Sequence, residues 1–418
     1  MREKLLLLTQ FFPPETNAGA NRIGPMAEAL SSHYEVCVVT PKPSYPSPKD
    51  YRHLSLQRYD AGYPYEIERA FDFLPHAGSL PVRTFREQAM AFRLAARALR
   101  KPADIVIASS PSMFLGPAGM ALARIKGAKF VWDVRDLTWG YAKDVVKDSR
   151  TMSFAAWGLK KYMLFVLRQA DLVIGASSGI TQVLIQDGAD PGKAITAPNG
   201  ISTEMLDDIT QRVGEKKEDK RPVVSYAGLI GYNQNLGVLL DVARRLPEVD
   251  FVLAGDGPEL PSLKERAAEL GARNVSFRGY LDREGLLRVY AQSDLLFAHT
   301  SSSPTVDATM VPVKLFEYMA SGKPIVYAGS GIATDLLKKL DCAATVPPED
   351  PGAISTAISA LLQDPGRMRS LGQNGRVAVK EGFNRDRIME EFARSLDEHL
   401  VGSGSYGEQQ AIHRSSSV

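Results

Sequence analysis

Short β-rich runs alternate with longer helical ones along almost the whole chain, and the alternation breaks once and then starts again. Parallel strands need a crossover between them, usually a helix. A repeated strand–helix order therefore confines the chain to parallel sheets covered by helices. Strand-like runs fall at 4–9, 36–40, 104–108, 130–133, 172–176 and 195–197. Helical spacing of apolar residues falls at about 21–32, 82–101, 113–126, 153–169 and 178–187. Residues 41–80 are rich in Pro, Tyr and Arg, show no period and read as irregular. After the polar interruption at 215–221, strands are expected at 223–226, 251–255, 275–279, 295–299 and 324–327. Helices are expected at 235–246, 259–270, 283–292, 311–322, 352–363, 365–380 and 386–400.

The expected fold is α/β, with two doubly wound Rossmann-like domains in series. The first spans 1–200 and the second 222–383, with a linker at 201–221. The polar tail 402–418 is expected to be disordered. Doubly wound domains bind ligands at the carboxyl ends of their strands. Two of them facing across a cleft would make that cleft the ligand site.

Composition excludes several classes. The two cysteines, Cys37 and Cys342, sit in apolar runs and support neither a disulfide framework nor a zinc site. No apolar run approaches the length that spans a membrane. Leu5–Leu8 is too short for a signal-peptide core and reads as a buried strand, so a cytoplasmic protein without an integral anchor is expected. Charge is uneven: residues 1–200 carry +7 and the remainder −5. A basic first half suits an anionic partner.

Residues 311–324 carry their own start and stop signals. Pro312 suits the first helical position, and Ser321-Gly322-Lys323-Pro324 closes the helix. Lys314 and Glu317 are three apart, so they are neighbours near the helix N-terminus, where phosphate is favoured. An amphipathic helix with an exposed ion pair accounts for the same residues. In the loop after the first strand, Gly19 permits close approach to a ligand, with Arg22 in the following turn; an ordinary βα loop is the alternative. The loop lacks Gly-x-Gly-x-x-Gly, which argues against a dinucleotide site. Trp132-Asp133-Val-Arg135-Asp136 lies at a strand's carboxyl end. Asp133 or Asp136 could take a proton from an attacking hydroxyl, or an Arg–Asp ion pair could close the loop. Arg278 and Gly279 end a strand where main chain could read a base, and Gly255-Asp256-Gly257 is a common turn. Arginines stud the 82–101 helix, and Trp157, Lys160, Lys161, Tyr162 and Phe165 share another. Both suit a membrane surface, or a core-facing helix with a solvated edge.

Taken in order, six motifs resemble those of the GT-B glycosyltransferases, family 4. They are Phe12-Pro-Pro14 with Gly19, Asp133-Val-Arg-Asp136, Pro198-Asn-Gly200, Ala254-Gly-Asp-Gly-Pro258, Phe277-Arg-Gly279 and Phe316-Glu-Tyr-Met-Ala-Ser-Gly-Lys-Pro324. The resemblance implies a nucleotide-sugar donor held mainly by the second domain and an acceptor held mainly by the first. It implies that Glu317 binds the donor's ribose, that Gly19 approaches the diphosphate, and that main chain at Arg278–Gly279 meets the base. Asp133 falls where many members have a histidine near the reacting sugar. The last helix, 384–401, would cross back onto the first domain. Members commonly carry an Arg and a Lys after the first strand of the second domain; here Gly228-Leu-Ile-Gly231 has neither, and Thr309 stands where many have a second glutamate. Lys314, with Arg22, is expected to supply the missing charge. Pro-x-Lys-x-x-Glu together with Asp-Val-Arg-Asp-Leu resembles a subgroup that makes bacterial surface polysaccharides.

The expected activity is therefore transfer of a sugar from a nucleotide-sugar to a lipid-linked saccharide, with retention at the anomeric carbon. No cofactor and no essential metal are expected, since no Asp-x-Asp cluster is evident. The expected partners are donor, acceptor and an anionic membrane surface, with no nucleic acid; the location follows as cytoplasmic or peripheral on the membrane's inner face. A nucleotide-sugar 2-epimerase and a non-catalytic nucleotide-sugar-binding protein are the alternatives.

Overall fold

A computed structural model describes residues 2–45, 47–72, 80–137, 139, 150–214 and 221–401. The chain divides into two compact units. One is Met1–Asn199 together with the chain from Arg385, and the other is Gly200–Asn384.

The first unit runs β1 (Lys4–Thr9), α1 (Ala18–Ser31), β2 (Glu35–Thr40), α2 (Leu56–Asp60), β3 (Glu66–Arg69), α3 (Leu80–Ala98), β4 (Ile105–Ser109), α4 (Leu115–Lys126), β5 (Lys129–Val134), α5 (Arg150–Arg168), β6 (Leu172–Gly175), α6 (Ser178–Gln186) and β7 (Ala194–Thr196). Its seven strands lie in the order β3-β2-β1-β4-β5-β6-β7, and every pair is parallel. The run of four leucines in β1 follows from this central place. Leu5 and Leu7 join one buried cluster with Ile23 and Met26 of α1, while Leu6 and Leu8 join another with Met90 and Leu94 of α3. A strand covered on both faces has no polar side to show. Register brings Thr9, Ser109 and Asp133 side by side at the carboxyl ends of β1, β4 and β5.

The second unit runs α7 (Thr203–Arg212), β8 (Val223–Ala227), α8 (Gly237–Arg245), β9 (Asp250–Ala254), α9 (Leu260–Glu269), β10 (Val275–Gly279), α10 (Arg283–Gln292), β11 (Leu295–His299), α11 (Pro304–Thr309), α12 (Lys314–Ser321), β12 (Ile325–Ala328), α13 (Gly331–Lys339), β13 (Ala343–Val346), α14 (Pro351–Gln363) and α15 (Pro365–Gly382). Its strand order, β10-β9-β8-β11-β12-β13, is again wholly parallel. The last helix, α16 (Arg385–Val401), belongs to the first unit. It packs on α1 through Phe392, Leu396 and their neighbours, and Tyr34 donates a hydrogen bond to Asp397.

Four stretches differ from the sequence expectation. The region 41–80 contains α2 and β3; β3 is a half-exposed edge strand, so Glu66-Ile-Glu-Arg69 carries little apolar signal. The expected linker 201–221 contains α7, capped by Ser202 and packed on α12; residues 215–220 lie outside the described residues, as does the tail 402–418. Between β11 and α12, where the sequence reading placed no element, the chain forms α11. Between β12 and α14 the chain forms α13 and the short edge strand β13.

Candidate functional site

The helix α12 begins at Lys314, two residues after Pro312, its sequence start signal. Pro312 and Val313 form a tight lead-in turn, with Leu315 N–H donating to the Pro312 carbonyl at 3.0 Å and Phe316 N–H to that of Val313 at 3.1 Å. Gly322 closes the helix in the left-handed region, at φ 69°. Two tyrosines fix the helix against the sheet. The Tyr318 hydroxyl accepts from Ala227 N–H at 2.8 Å and donates to Ala227 carbonyl at 3.0 Å, so α12 is tied to the carboxyl end of β8. Tyr290 of α10 donates to Glu317 Oε2 at 2.7 Å.

Lys314 therefore sits at the first position of a helix clamped to the sheet's carboxyl edge. Its Nζ donates to the Tyr226 hydroxyl and lies 3.9 Å from that ring's centre. A Cβ on Gly228 would lie 2.8 Å from the same Nζ, so the ammonium occupies the space beside the stretch that lacks Arg and Lys. Burial pushes the Lys314 ammonium down to about 7, against an upward pull from Glu317. At neutral pH it is poised between charged and neutral, and an incoming anion would draw it to the charged form.

The glycines around it are demanded by backbone packing. Gly255 has φ 144°, and a Cβ there would meet the Gly228 carbonyl oxygen at 1.8 Å; one on Gly257 would meet that of Ile230 at 2.3 Å. Ile230 N–H donates to the Asp256 carbonyl at 2.9 Å. Gly255-Asp256-Gly257 thus holds the loop after β8 close against the loop after β9. His299 ends β11 on this same edge. It is buried, and the Gln234 backbone, Glu349 and Lys314 bear on its ring. Burial lowers its pKa and keeps it neutral near pH 7.

In the first unit the structure joins two residues separated by 111 positions. Arg22 of α1 grips Asp133 at the end of β5, with Nη2 to Oδ1 at 2.7 Å; both side chains are almost wholly buried. Ser109 donates to Asp133 Oδ2 at 2.7 Å, and Arg22 Nη1 donates to the Ala197 carbonyl at 2.7 Å. The sequence reading placed an Arg–Asp pair within the 132–136 motif; the structure instead pairs Asp133 with Arg22 of α1. It corrects the expectation that Asp133 takes a proton and that Arg22 faces a donor, because both charges are spent inside the unit. Asp136 keeps part of its surface and is the accessible carboxylate of the motif. Gly19 lies against Arg135: a Cβ there would come 2.8 Å from Nη1.

Arg278 is exposed on the edge strand β10. Its side chain lines a cavity of about 310 Å³ with Asp250, Asn274 and Gln292, toward the strands' opposite ends, and not the Lys314 edge. Gly279 stands at the carboxyl end of β10 with φ 65°, and its carbonyl accepts from Gly255 N–H at 2.8 Å. Among the described residues no group of three His, Cys, Asp or Glu side chains could hold a metal ion. The sequence reading missed Tyr226, Tyr290, Tyr318 and His299. All four sit in apolar strand or helix runs, where an aromatic ring reads as core.

Two family models match the chain: a glycosyl transferase 4-like domain over residues 17–200 and a glycosyl transferases group 1 domain over residues 207–378. The structural neighbours show that the fold is GT-B. One is Alr3699/HepE from Anabaena, solved with UDP and glucose, with a TM-score of 0.67 and 18% identity over 95% of this chain and 100% of that one. The two matched regions are thus of the glycosyl transferase 4-like and group 1 kinds, on a GT-B fold. It is similar to the sulfoquinovosyl transferase SQD2 of Arabidopsis thaliana (26% identity, 70% of this chain, 56% of the relative). It is similar to a GDP-mannose-dependent alpha-(1-6)-phosphatidylinositol monomannoside mannosyltransferase of Mycolicibacterium smegmatis (28%, 43% and 50%). It is also similar to the putative colanic acid biosynthesis glycosyl transferase WcaI of Escherichia coli K12 (25%, 66% and 71%). The chain spans about half the length of the first two of these relatives.

Proposed function

We propose that this protein moves a sugar from a nucleotide-sugar donor to a lipid-linked saccharide in surface-polysaccharide synthesis, with retention at the anomeric carbon. The observation that carries the reading is Lys314, a lysine of lowered pKa at the start of a clamped helix, against the glycine loop at the carboxyl edge of its sheet. In the reaction the bond from the sugar's anomeric carbon to the diphosphate breaks, and a bond to an acceptor oxygen forms. The acceptor's proton leaves to Asp136 or to the departing phosphate. Negative charge grows on the diphosphate, and Lys314 with the first N–H groups of α12 stabilises it most at that moment. Glu317, oriented by Tyr290, accepts hydrogen bonds from the donor's ribose. Gly279 main chain meets the base.

The lipid-linked acceptor is supported by one face of the first unit. Of the twelve large hydrophobic side chains exposed among the described residues, eight lie on or just after α3, on α4 or on α5, including Phe85, Phe92, Trp157 and Phe165. α4 packs against both α3 and α5, and Glu87 is the one acidic residue in the three helices. Lys161 lies 5.8 Å from the Trp157 ring centre, and Arg124 the same distance from that of Phe165. Rings flanked by cations suit the headgroup region of an anionic bilayer. The phosphatidylinositol monomannoside named for one relative agrees with this acceptor class, and the colanic acid biosynthesis named for another agrees with a polysaccharide role.

The test is incubation with UDP-, GDP- and dTDP-sugars, with and without a polyprenyl-diphosphate-linked saccharide. Release of nucleoside diphosphate that needs the acceptor is expected. An altered sugar from donor alone would instead mean an epimerase, and binding without turnover a non-catalytic protein. Co-sedimentation with phosphatidylglycerol vesicles at low salt checks the face; no binding there removes the membrane from the account.

A further inference from the structure

The cavity that Arg278 lines plays no part in the reaction outlined above, and the strand order explains why it exists. The crossovers from β8 to β9 and from β9 to β10 put α8 and α9 on one face of the second sheet, against Phe251, Leu253 and Phe277. The return from β10 to β11 puts α10 on the other face, where it packs over β8 and β9. A helix about 10 Å across covers about two strands spaced about 4.8 Å apart. The edge strand β10 therefore keeps an open face, and there the sequence turns polar: Ser276 and Arg278 alternate with Phe277. Register sets Ser225, Val252 and Ser276 side by side as a floor of short side chains. Val289 and Gln292 of α10 wall it, and the hollow measures about 310 Å³, enough for a small molecule.

The polar groups of this hollow are of two kinds. Arg273 and Arg278 bring guanidinium forks, and neither has an ion pair among the described residues. The one carboxylate of the lining, Asp250, is held by Arg221 at 3.2 Å. The other kind accepts hydrogen bonds. Asn274 Nδ2 donates to the carbonyls of Ala243, Leu246 and Val249 at 2.9, 3.0 and 2.8 Å, which locks the amide and leaves Oδ1 as an acceptor. The Ser276 hydroxyl donates to the Phe251 carbonyl at 3.4 Å, so its oxygen also accepts. Gln292 ends α10, whose last turn has no basic residue to compensate its carbonyls. Unpaired guanidinium forks complement phosphate, and acceptors complement hydroxyl groups. A merely solvated strip of edge strand would carry the same charges without a hollow between them.

We propose that this hollow is a second ligand site of the second unit and takes a small phosphorylated sugar or polyol. Its phosphate lies on Arg273 and Arg278, and its hydroxyls face Asn274, Ser276 and Gln292. Val223 and Asp250, which open β8 and β9, line the site, whereas Lys314 stands at the carboxyl edge of the same sheet. The site does not rest on the glycosyl-transfer reading.

The experiment titrates glucose 6-phosphate, inorganic phosphate and glucose into the full chain by calorimetry, in wild type and in Lys314→Met. Glucose 6-phosphate is expected to bind both proteins with Kd below about 1 mM, and more tightly than phosphate or glucose does. Arg273→Gln and Arg278→Gln should each weaken it at least about fivefold. Arg369→Gln, an exposed arginine on α15, should leave it within about twofold. Ser276→Leu fills the hollow without changing its charge and should weaken it at least about tenfold. No binding up to about 10 mM overturns the site, as does binding that is lost in Lys314→Met. Binding unchanged by Arg278→Gln and Ser276→Leu, in proteins that melt as wild type does, overturns it equally. Inorganic phosphate bound as tightly as glucose 6-phosphate overturns the sugar or polyol assignment. Turnover of nucleotide-sugars is read separately: its absence with glucose 6-phosphate binding intact removes the transferase reading and keeps this site.

Discussion

Replacing Lys314 with methionine should stabilise the second unit and disable it together. Methionine keeps the length of the stem and its packing over the Tyr226 ring but removes the cation. Holding the ammonium at about 7, against an ordinary value near ~10.4, sets an upper bound of about 4 to 5 kcal/mol on the cost of charging it in the folded protein. Lys314 retains some surface, and the Tyr226 hydroxyl and ring compensate part of the burial. A realistic gain from Lys314→Met is therefore about 1–2 kcal/mol, or roughly 2–6 °C in melting temperature. The sign of the pH dependence is set by the direction of the shift. The folded protein disfavours the charged form, so the penalty is full below pH 7 and fades as pH rises from there toward the unfolded value. The advantage of Lys314→Met over wild type should be largest at pH 6 and nearly gone by pH 10. Differential scanning calorimetry at those two pH values reads it. A melting temperature lowered at pH 6, or a difference that grows with pH, would refute the reasoning. That result would mean the ammonium is satisfied by its present surroundings and held for stability.

Three other substitutions probe the geometry. Arg22→Met leaves the Asp133 carboxylate buried without its cation and should cost about 3–5 kcal/mol in urea unfolding; pairing it with Asp133→Leu should recover most of that loss. Gly255→Ala forces a methyl into the Gly228 carbonyl and should cost about 3 kcal/mol or more, with loss of nucleotide binding, whereas a Gly271→Ala control meets no atom within 4 Å and should cost only its backbone strain of about 1 kcal/mol. His299→Phe removes a buried imidazole with no well-formed hydrogen bond and should be neutral or stabilising by about 1 kcal/mol in thermal melting; a loss above about 2 kcal/mol would show that its contact with the Gln234 backbone is a true hydrogen bond.

Much of the second unit was legible because local signals agree there. β10, α10 and β11 fall at the residues expected of them, with Asp282 capping α10 through Gly285 N–H at 2.8 Å. The closing signals of α12 also read correctly; its start did not, because Pro312 and Val313 form a turn ahead of the helix proper. Two of the four edge strands, β3 and β13, were hard to read. β3 and β13 are short, and β3 holds one apolar residue among three charged ones, so neither shows the buried run that marks β1. The site divides in the same way. Lys314 and Glu317 were visible because helical spacing makes them neighbours within one element. The Arg22–Asp133 pair was not, since nothing in either segment tells how a helix start and a strand end 111 residues apart will meet. Tyr226 was hidden for a related reason: the partner that gives its hydroxyl a role lies 88 positions further on.

The central claim is that Lys314 at the start of α12 meets the diphosphate of the donor. Calorimetric titration of wild type with UDP and GDP at pH 7, in two buffers of different ionisation enthalpy, tests it most directly. An ammonium held at about 7 is about half deprotonated there, so binding a diphosphate beside it should take up roughly 0.5 proton, rising toward one at pH 8 and falling toward zero at pH 6. Lys314→Met should abolish that uptake and weaken binding at least about tenfold. Tight binding with the same proton exchange in wild type and Lys314→Met would contradict the claim and place the diphosphate elsewhere.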